Sequence, residues 1–282
     1  MKFQKNEPLK KHNSFRIGGA ADYFCEPKSR QDIIAAMVFA KEKKIPLAII
    51  GAGTNLLVRD NGFRGLAIKI GKGLNWLKFC NNKVKVGAGV SLPRLIKACA
   101  AKGLGGIEFL AGIPGSAGGA VVMNAGAWGK AVGKFVNSVN AIDYNGKERL
   151  FSQKELQFAY RSSRFQKEKW IIIEITLQLN RLKRSLIKNK VQEYQQKRRA
   201  RQPLGIANCG SVFKNPKGDF AGRIIEAAGC KGLRIGDAQV SDKHANFIVN
   251  LGEAKAKDVI KLMTQVQKKA KTKLEPEIKL LS

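Results

Sequence analysis

The chain has 282 residues, with 52 Lys and Arg against 21 Asp and Glu, for a formal net charge of +31. Its hydrophobic share, 44%, is globular usage and excludes a disordered basic tail. Five scattered cysteines without a Cys-x-x-Cys pair, and only two histidines, His12 and His244, argue against a disulfide framework, a zinc ribbon and a Ser-His-Asp triad. The N-terminal stretch MKFQKNEPLKKHNSF lacks the apolar core of a signal peptide, and no apolar run approaches the roughly 20 residues of a membrane span. A reduced, cytoplasmic enzyme or binding protein is therefore expected. The excess charge favours anionic partners, whether nucleotides, phosphates, nucleic acid or anionic lipid, without choosing among them.

In chain order, Ser29 is placed to cap a helix over residues 32–44, whose apolar positions Ile33, Ile34, Met37 and Val38 follow helical spacing. Apolar runs at 47–51, 66–70 and 84–86 read as strands. Ser91 and Pro93 start a helix that Gly103 stops. Residues 139–144 and 148–151 flank Asn145-Gly146, a pair that favours a hairpin turn, and Ser152-x-x-Glu155 reads as a capping box. The β-branched run at 170–179 predicts a strand. Residues 181–201 predict a very basic helix, broken by Gln202-Pro203. A second unit begins near Ser211, with helices at 220–228 and 254–271 and strands at 247–250 and 277–281. This mixture predicts an α+β fold.

Two glycine segments carry the first chemical signal. Gly51-Ala52-Gly53-Thr54-Asn55-Leu56-Leu57 follows an apolar strand, and Gly112-Ile113-Pro114-Gly115-Ser116-Ala117-Gly118-Gly119 is followed by Asn124-Ala125-Gly126. Without Cβ atoms, backbone N–H groups can approach phosphate oxygens, so two such loops suit a pyrophosphate. Position 56 is Leu, so the Gly-x-Gly-x-x-Gly dinucleotide fingerprint is not met, and no P-loop occurs. Three polar motifs follow: Tyr160-Arg161, Gly210-Ser211-Val212-Phe213-Lys214-Asn215-Pro216 and Leu274-Glu275-Pro276-Glu277-Ile278. Burying Arg161 or Glu277 alone is costly, and spacing leaves open a structural ion pair or a ligand.

Together with His12-Asn-Ser-Phe-Arg-Ile-Gly-Gly19 and Val240-Ser-Asp-Lys-His-Ala-Asn246, these motifs cover almost the whole chain, and in this order they resemble the UDP-N-acetylenolpyruvoylglucosamine reductases. The resemblance implies an α+β fold with a two-subdomain FAD-binding domain of the vanillyl-alcohol-oxidase type. It implies FAD-binding residues 1–182 (subdomains about 1–50 and 51–182), a basic linker helix 183–204, a substrate domain 205–272 and a C-terminal tail 273–282 returning to the active site. FAD would be bound without a covalent link, its pyrophosphate held by the two glycine segments.

The implied reaction is reduction of UDP-N-acetylenolpyruvoylglucosamine to UDP-N-acetylmuramate, with NADPH as co-substrate. By motif, Ser211 is the implied proton donor, and Arg161 and Glu277 act on the substrate carboxylate. Tyr160, Lys214, Asn215, Lys231, Arg234 and Asn246 match positions in or near the substrate pocket, Lys231 and Arg234 facing the diphosphate. The chain resembles the shorter subclass, without the loop whose tyrosine closes over substrate; Tyr194 lies instead in the basic helix. Cys209 beside the serine motif raises redox sensitivity, against the reading of an inert small core residue. A monomer is expected, and nucleic-acid binding at most non-specific, because aromatics (7%) are sparse and not interleaved with the basic runs.

Overall fold

A computed structural model describes residues 1–282. The chain forms two compact units. Unit 1 contains Met1–Phe3, Cys25–Ala52 and Ala67–Arg198; unit 2 contains Gln4–Phe24, Gly53–Leu66 and Arg199–Ser282.

Unit 1 opens with helix α1, Arg30–Glu42, where the Ser29 side chain accepts the Asp32 N–H at 3.1 Å. Helix α2, Leu92–Ala101, is capped in the same way by Ser91, with Pro93 in its first turn. An antiparallel five-stranded sheet forms the core, in the order Glu148–Ser152, Val136–Asp143, Trp170–Gln178, Lys83–Gly87, Leu77–Cys80. The expected Asn-Gly hairpin is its first pair. Ile171, Ile175 and Leu177 on the central strand are buried, which is why that run is so rich in β-branched residues. Helix α3, Ala117–Val122, docks at the end of this sheet: Ala117 N–H donates to Val90 O and Gly118 N–H to Ala88 O. Helix α4, Arg184–Arg201, is the basic helix; only Ile187 and Arg198 on it are buried.

Two sequence expectations change here. Ser152 does not cap a helix: its N–H and Oγ both donate to Glu155, and only a 3-10 turn, Lys154–Leu156, follows. Those hydrogen bonds from Ser152 hold the Glu155 carboxyl down at about 2. The second glycine segment is not a loop throughout. Ser116 caps α3, and Gly118 and Gly119 belong to that helix. A Cβ on Gly118 would lie 2.9 Å from Ala88 Cβ, so this glycine serves close packing of helix on sheet.

Unit 2 is built on an antiparallel sheet, Ala207–Ser211, Phe247–Asn250, Ala238–Val240, Arg234–Ile235, against which helices α5, Ala221–Ala227, and α6, Ala256–Ala270, supply apolar faces. Its core joins Phe15, Ile17 and Leu57 from early in the chain to Val212, Ile248, Val259 and Leu262. Asp60 fixes α6 by accepting the Ala256 and Lys257 N–H groups at 2.7 and 3.0 Å, a carboxylate at a helix N-terminus. The last strand, Lys279–Leu281, pairs in parallel with Leu56–Val58.

Gly53 has φ +68°, and a Cβ there would lie 2.2 Å from His12 O, a backbone atom with little room to yield. Gly53→Ala is therefore expected to destabilise the protein by about 1–3 kcal/mol from backbone strain alone, and further through the clash. Urea unfolding followed by circular dichroism measures this; a midpoint equal to wild type would contradict the geometry.

Candidate active site

In unit 1 the sequence-predicted residues fall into two groups. In the first, the glycine segments converge: a Cβ on Gly51 would lie 2.7 Å from Ser116 Oγ. Ser116 Oγ also accepts the Gly119 N–H at 3.3 Å, and Gly119 has no other neighbour at its Cβ position. Backbone N–H groups and a hydroxyl are thus gathered where side chains other than glycine would intrude. That donor set fits a phosphate ester.

The second group surrounds Arg161. Ala159 and Ser162 exchange backbone hydrogen bonds at 3.1 Å, and Arg161 sits in this tight turn with φ +52°. Its Nη1 donates to Gly126 O at 2.9 Å, and its guanidinium lies over the Tyr160 ring, 5.6 Å from the centroid. Asn124, expected at the cofactor, is buried and braces this turn: its Nδ2 donates to Ala159 O at 2.8 Å and its Oδ1 accepts the Gly133 N–H at 3.0 Å.

Arg198 was missed in the sequence because it lies inside a run of surface cations. It is 7% exposed, and it donates from Nε to Ala111 O at 2.8 Å and from Nη2 to Phe109 O at 3.4 Å. A Cβ on Gly112 would meet Arg198 Cδ at 2.7 Å, so the first glycine of the second segment makes room for it. Burial, and then the charge of Arg161, pulls the Arg198 guanidinium down to about 10. Arg198 therefore still carries its charge at neutral pH, and two guanidinium groups in one neighbourhood favour an anion in their field. Tyr194 on α4 stacks on Trp128 at 6.0 Å, with Lys197 over the same indole.

In unit 2 the serine motif and the C-terminal motif lie together. Glu277 N–H donates to Val212 O and Lys214 N–H to Glu275 O, both at 2.8 Å, and Phe213 bridges to Pro276. Ser211 directly precedes this ladder. Asn55 of the first glycine segment joins it, with Nδ2 donating to Glu277 O at 3.2 Å. Gly210, with φ +81°, supplies the left-handed step before Ser211.

Asn246 is buried and uses both ends of its amide on Phe213, accepting its N–H at 2.9 Å and donating to its O at 2.8 Å. Lys214 pairs with Glu275 at 2.6 Å, and Asn215 Oδ1 accepts the Ala221 N–H at 3.0 Å. Lys231 and Arg234 hold local acids, Glu226 at 2.5 Å and Asp237 at 2.6 Å.

Cys209 is buried, and desolvation first, then the charge of Glu277, pushes its thiol well above the ordinary range. It is inert by that measure, and the redox-sensitive reading loses its chemical basis. His244 Nδ1 accepts the Asn246 N–H at 3.2 Å, and burial lowers its pKa.

With this geometry in view, comparisons with known proteins define the class. Residues 21–151 match the model of an FAD-binding domain, and residues 202–281 match the C-terminal domain of UDP-N-acetylenolpyruvoylglucosamine reductase. Cholesterol oxidase from B. sterolicum shares the fold at 18% identity, with a TM-score of 0.50 over 64% of this chain and 37% of that one. The chain is thus an FAD-dependent oxidoreductase.

The chain is 46% identical to the UDP-N-acetylenolpyruvoylglucosamine reductase of Desulforamulus reducens, covering 99% of this chain and 93% of that one. It is 42% identical to that of Syntrophomonas wolfei, over 98% and 94%. The crystal structure of the Thermus caldophilus enzyme superposes with a TM-score of 0.87 at 34% identity, covering 100% and 98%. The chain belongs to the UDP-N-acetylenolpyruvoylglucosamine reductase family.

The lowered pKa of His244 has a consequence for stability. The unfolded chain takes up this proton near the ordinary value of 6.5, before the folded one does, so stability falls as pH drops below that value and through the folded pKa. Replacing the imidazole by a group that does not titrate, as in His244→Asn, is expected to flatten this part of the stability profile, read from urea midpoints between about pH 7 and pH 5. An unchanged slope would show that His244 carries no such linkage.

Proposed function

We propose that the protein reduces UDP-N-acetylenolpyruvoylglucosamine to UDP-N-acetylmuramate at the expense of NADPH, in the synthesis of peptidoglycan precursors. The observation that carries this reading is the pairing of Ser211 with Glu277 through the 212–214 and 275–277 ladder, in a chain that also sets Arg161 in a braced turn. Bound by the glycine segments, FAD supplies the hydride relay between NADPH and the enolpyruvyl double bond.

The chain's own residues do the rest. Gly51, Ala52, Gly53, Thr54, Asn55 and Leu56 of the first segment, with Ile113, Pro114, Gly115, Ser116, Gly118 and Gly119 of the second, hold the cofactor's phosphates. Ala125 and Gly126 continue that surface. Hydride arrival at the substrate pushes negative charge into its carboxylate. A guanidinium held beforehand at that carboxylate stabilises charge that exists mainly in the transition state, and Arg161, backed by Arg198, takes this role. Glu277 acts on the substrate carboxylate as the second member of a pair with Arg161. Ser211 gives its proton to the adjacent carbon; the hydroxyl is a weak acid, but the acceptor is strongly basic and held in reach.

Tyr160, Lys214, Asn215 and Asn246 shape the substrate pocket, the last by fixing Phe213. Lys231 and Arg234 meet the diphosphate by exchanging Glu226 and Asp237 for phosphate oxygens. The functional division follows the sequence: a cofactor domain over 1–182, the basic helix over 183–204, a substrate domain over 205–272 and the tail 273–282. No helix is long and apolar enough to cross a membrane. With five free cysteines and NADPH as reductant, the cytoplasm is the expected compartment, and a monomer the working form.

Ser211→Ala separates the two halves of the reaction. Bleaching of the flavin absorbance by NADPH is expected to proceed at close to the wild-type rate, while the enolpyruvyl step slows by roughly 10²–10⁴-fold. Equal loss in both halves would remove Ser211 from the proton-donor role. Stopped-flow association of either nucleotide substrate is expected to slow as salt rises, because the positive field of the chain is screened over about 10 Å at 0.1 M.

A further inference from the structure

Arg161 adopts a left-handed backbone conformation, φ +52°, that a long side chain seldom takes without help from outside the residue. The help comes partly from Gln166, at the end of the 3-10 turn Arg164–Gln166. Gln166 Nε2 donates to Arg161 O at 2.9 Å and to Val122 O at 2.9 Å. Ser163 Oγ reaches the same Val122 O at 2.7 Å. Val122 is the last residue of α3, where a helix has carbonyls without partners of its own. One amide group therefore ties the carbonyl of the arginine turn to the end of the helix that Ser116 caps.

We propose that Gln166 is a positioning residue for Arg161. Its side-chain amide is engaged with main-chain carbonyls; it fixes the peptide plane after Arg161, and with it the direction in which the guanidinium leaves the backbone toward Gly126 O. Asn124 steadies the other side of the same turn through Ala159 O, so the arginine is held by a side-chain amide before it and another after it. The proposal rests on the reading that Arg161 stabilises charge on the substrate carboxylate.

Gln166→Met keeps the length of the side chain and removes both donors. The variant holoenzyme is expected to keep its flavin content and its NADPH half-reaction, while kcat for the enolpyruvyl step falls about 10- to 100-fold, as for a misplaced catalytic group, with a smaller change in KM. The decisive measurement is the double variant. If Gln166 acts through Arg161, adding Gln166→Met to Arg161→Gln leaves the rate of the single Arg161→Gln variant unchanged within about twofold. Losses that multiply, or equal damage to both half-reactions, would overturn the proposal. An Arg161→Gln variant with an unimpaired enolpyruvyl step would instead overturn the role of Arg161, a separate result. If Gln166→Met loses flavin, Gln166→Asn, which keeps the donor but falls one methylene short, is put through the same cycle with the same expected non-additivity.

Discussion

The short backbone ladder between Val212–Lys214 and Glu275–Glu277 is the constraint on which the arrangement of motifs in unit 2 depends. Two hydrogen bonds of 2.8 Å and a bridge at Phe213 place a segment from the end of the chain beside the serine motif, more than 60 residues upstream. The ladder does not stand alone. The parallel pairing of Lys279–Leu281 with Leu56–Val58 holds the tail beyond it, and the amide of Asn246 holds Phe213 from the opposite side. A tail fixed at both ends loses little further freedom when a ligand binds, which is what preorganised electrostatic stabilisation requires.

Unit 1 solves a different problem, that of seating two arginines on backbone carbonyls in the company of backbone donors. Arg198 is buried among backbone carbonyls, and the glycine at position 112 exists to admit it. Arg161 is held in a costly backbone conformation by amides on either side. Strain of this kind persists only where neighbours over-determine it, and side-chain amides are among those neighbours here.

The net charge of +31 divides along the same lines. The few cations argued to meet ligands, Arg161, Arg198, Lys231 and Arg234, account for a small part of it. Most of the rest lies on surfaces such as α4, a helix of 18 residues with two buried side chains. Such a surface raises the rate of anion capture through a long-range field. It does little to specify the fold, because exposed charges stay solvated in either state.

Much was legible locally. The caps at Ser29 and Ser91, the Asn-Gly hairpin, the β-branched central strand and the basic helix are all determined by residues close in sequence, and the structure has them within a few positions. The candidate site was legible only as a set of motifs. Nothing local said that Ser116 would cap a helix inside a glycine run, that Asn124 and Asn246 would turn their amides inward, or that a buried arginine hid in a stretch of surface ones.

What the sequence by itself determined was residue chemistry and short-range conformation, because propensity, capping and turn geometry act over a few residues. What only the tertiary structure decided was which groups share a neighbourhood. Those juxtapositions, Glu277 beside Val212, Arg161 beside Arg198, Gly51 against Ser116, depend on long-range packing and hydrogen bonding, which no window of sequence contains.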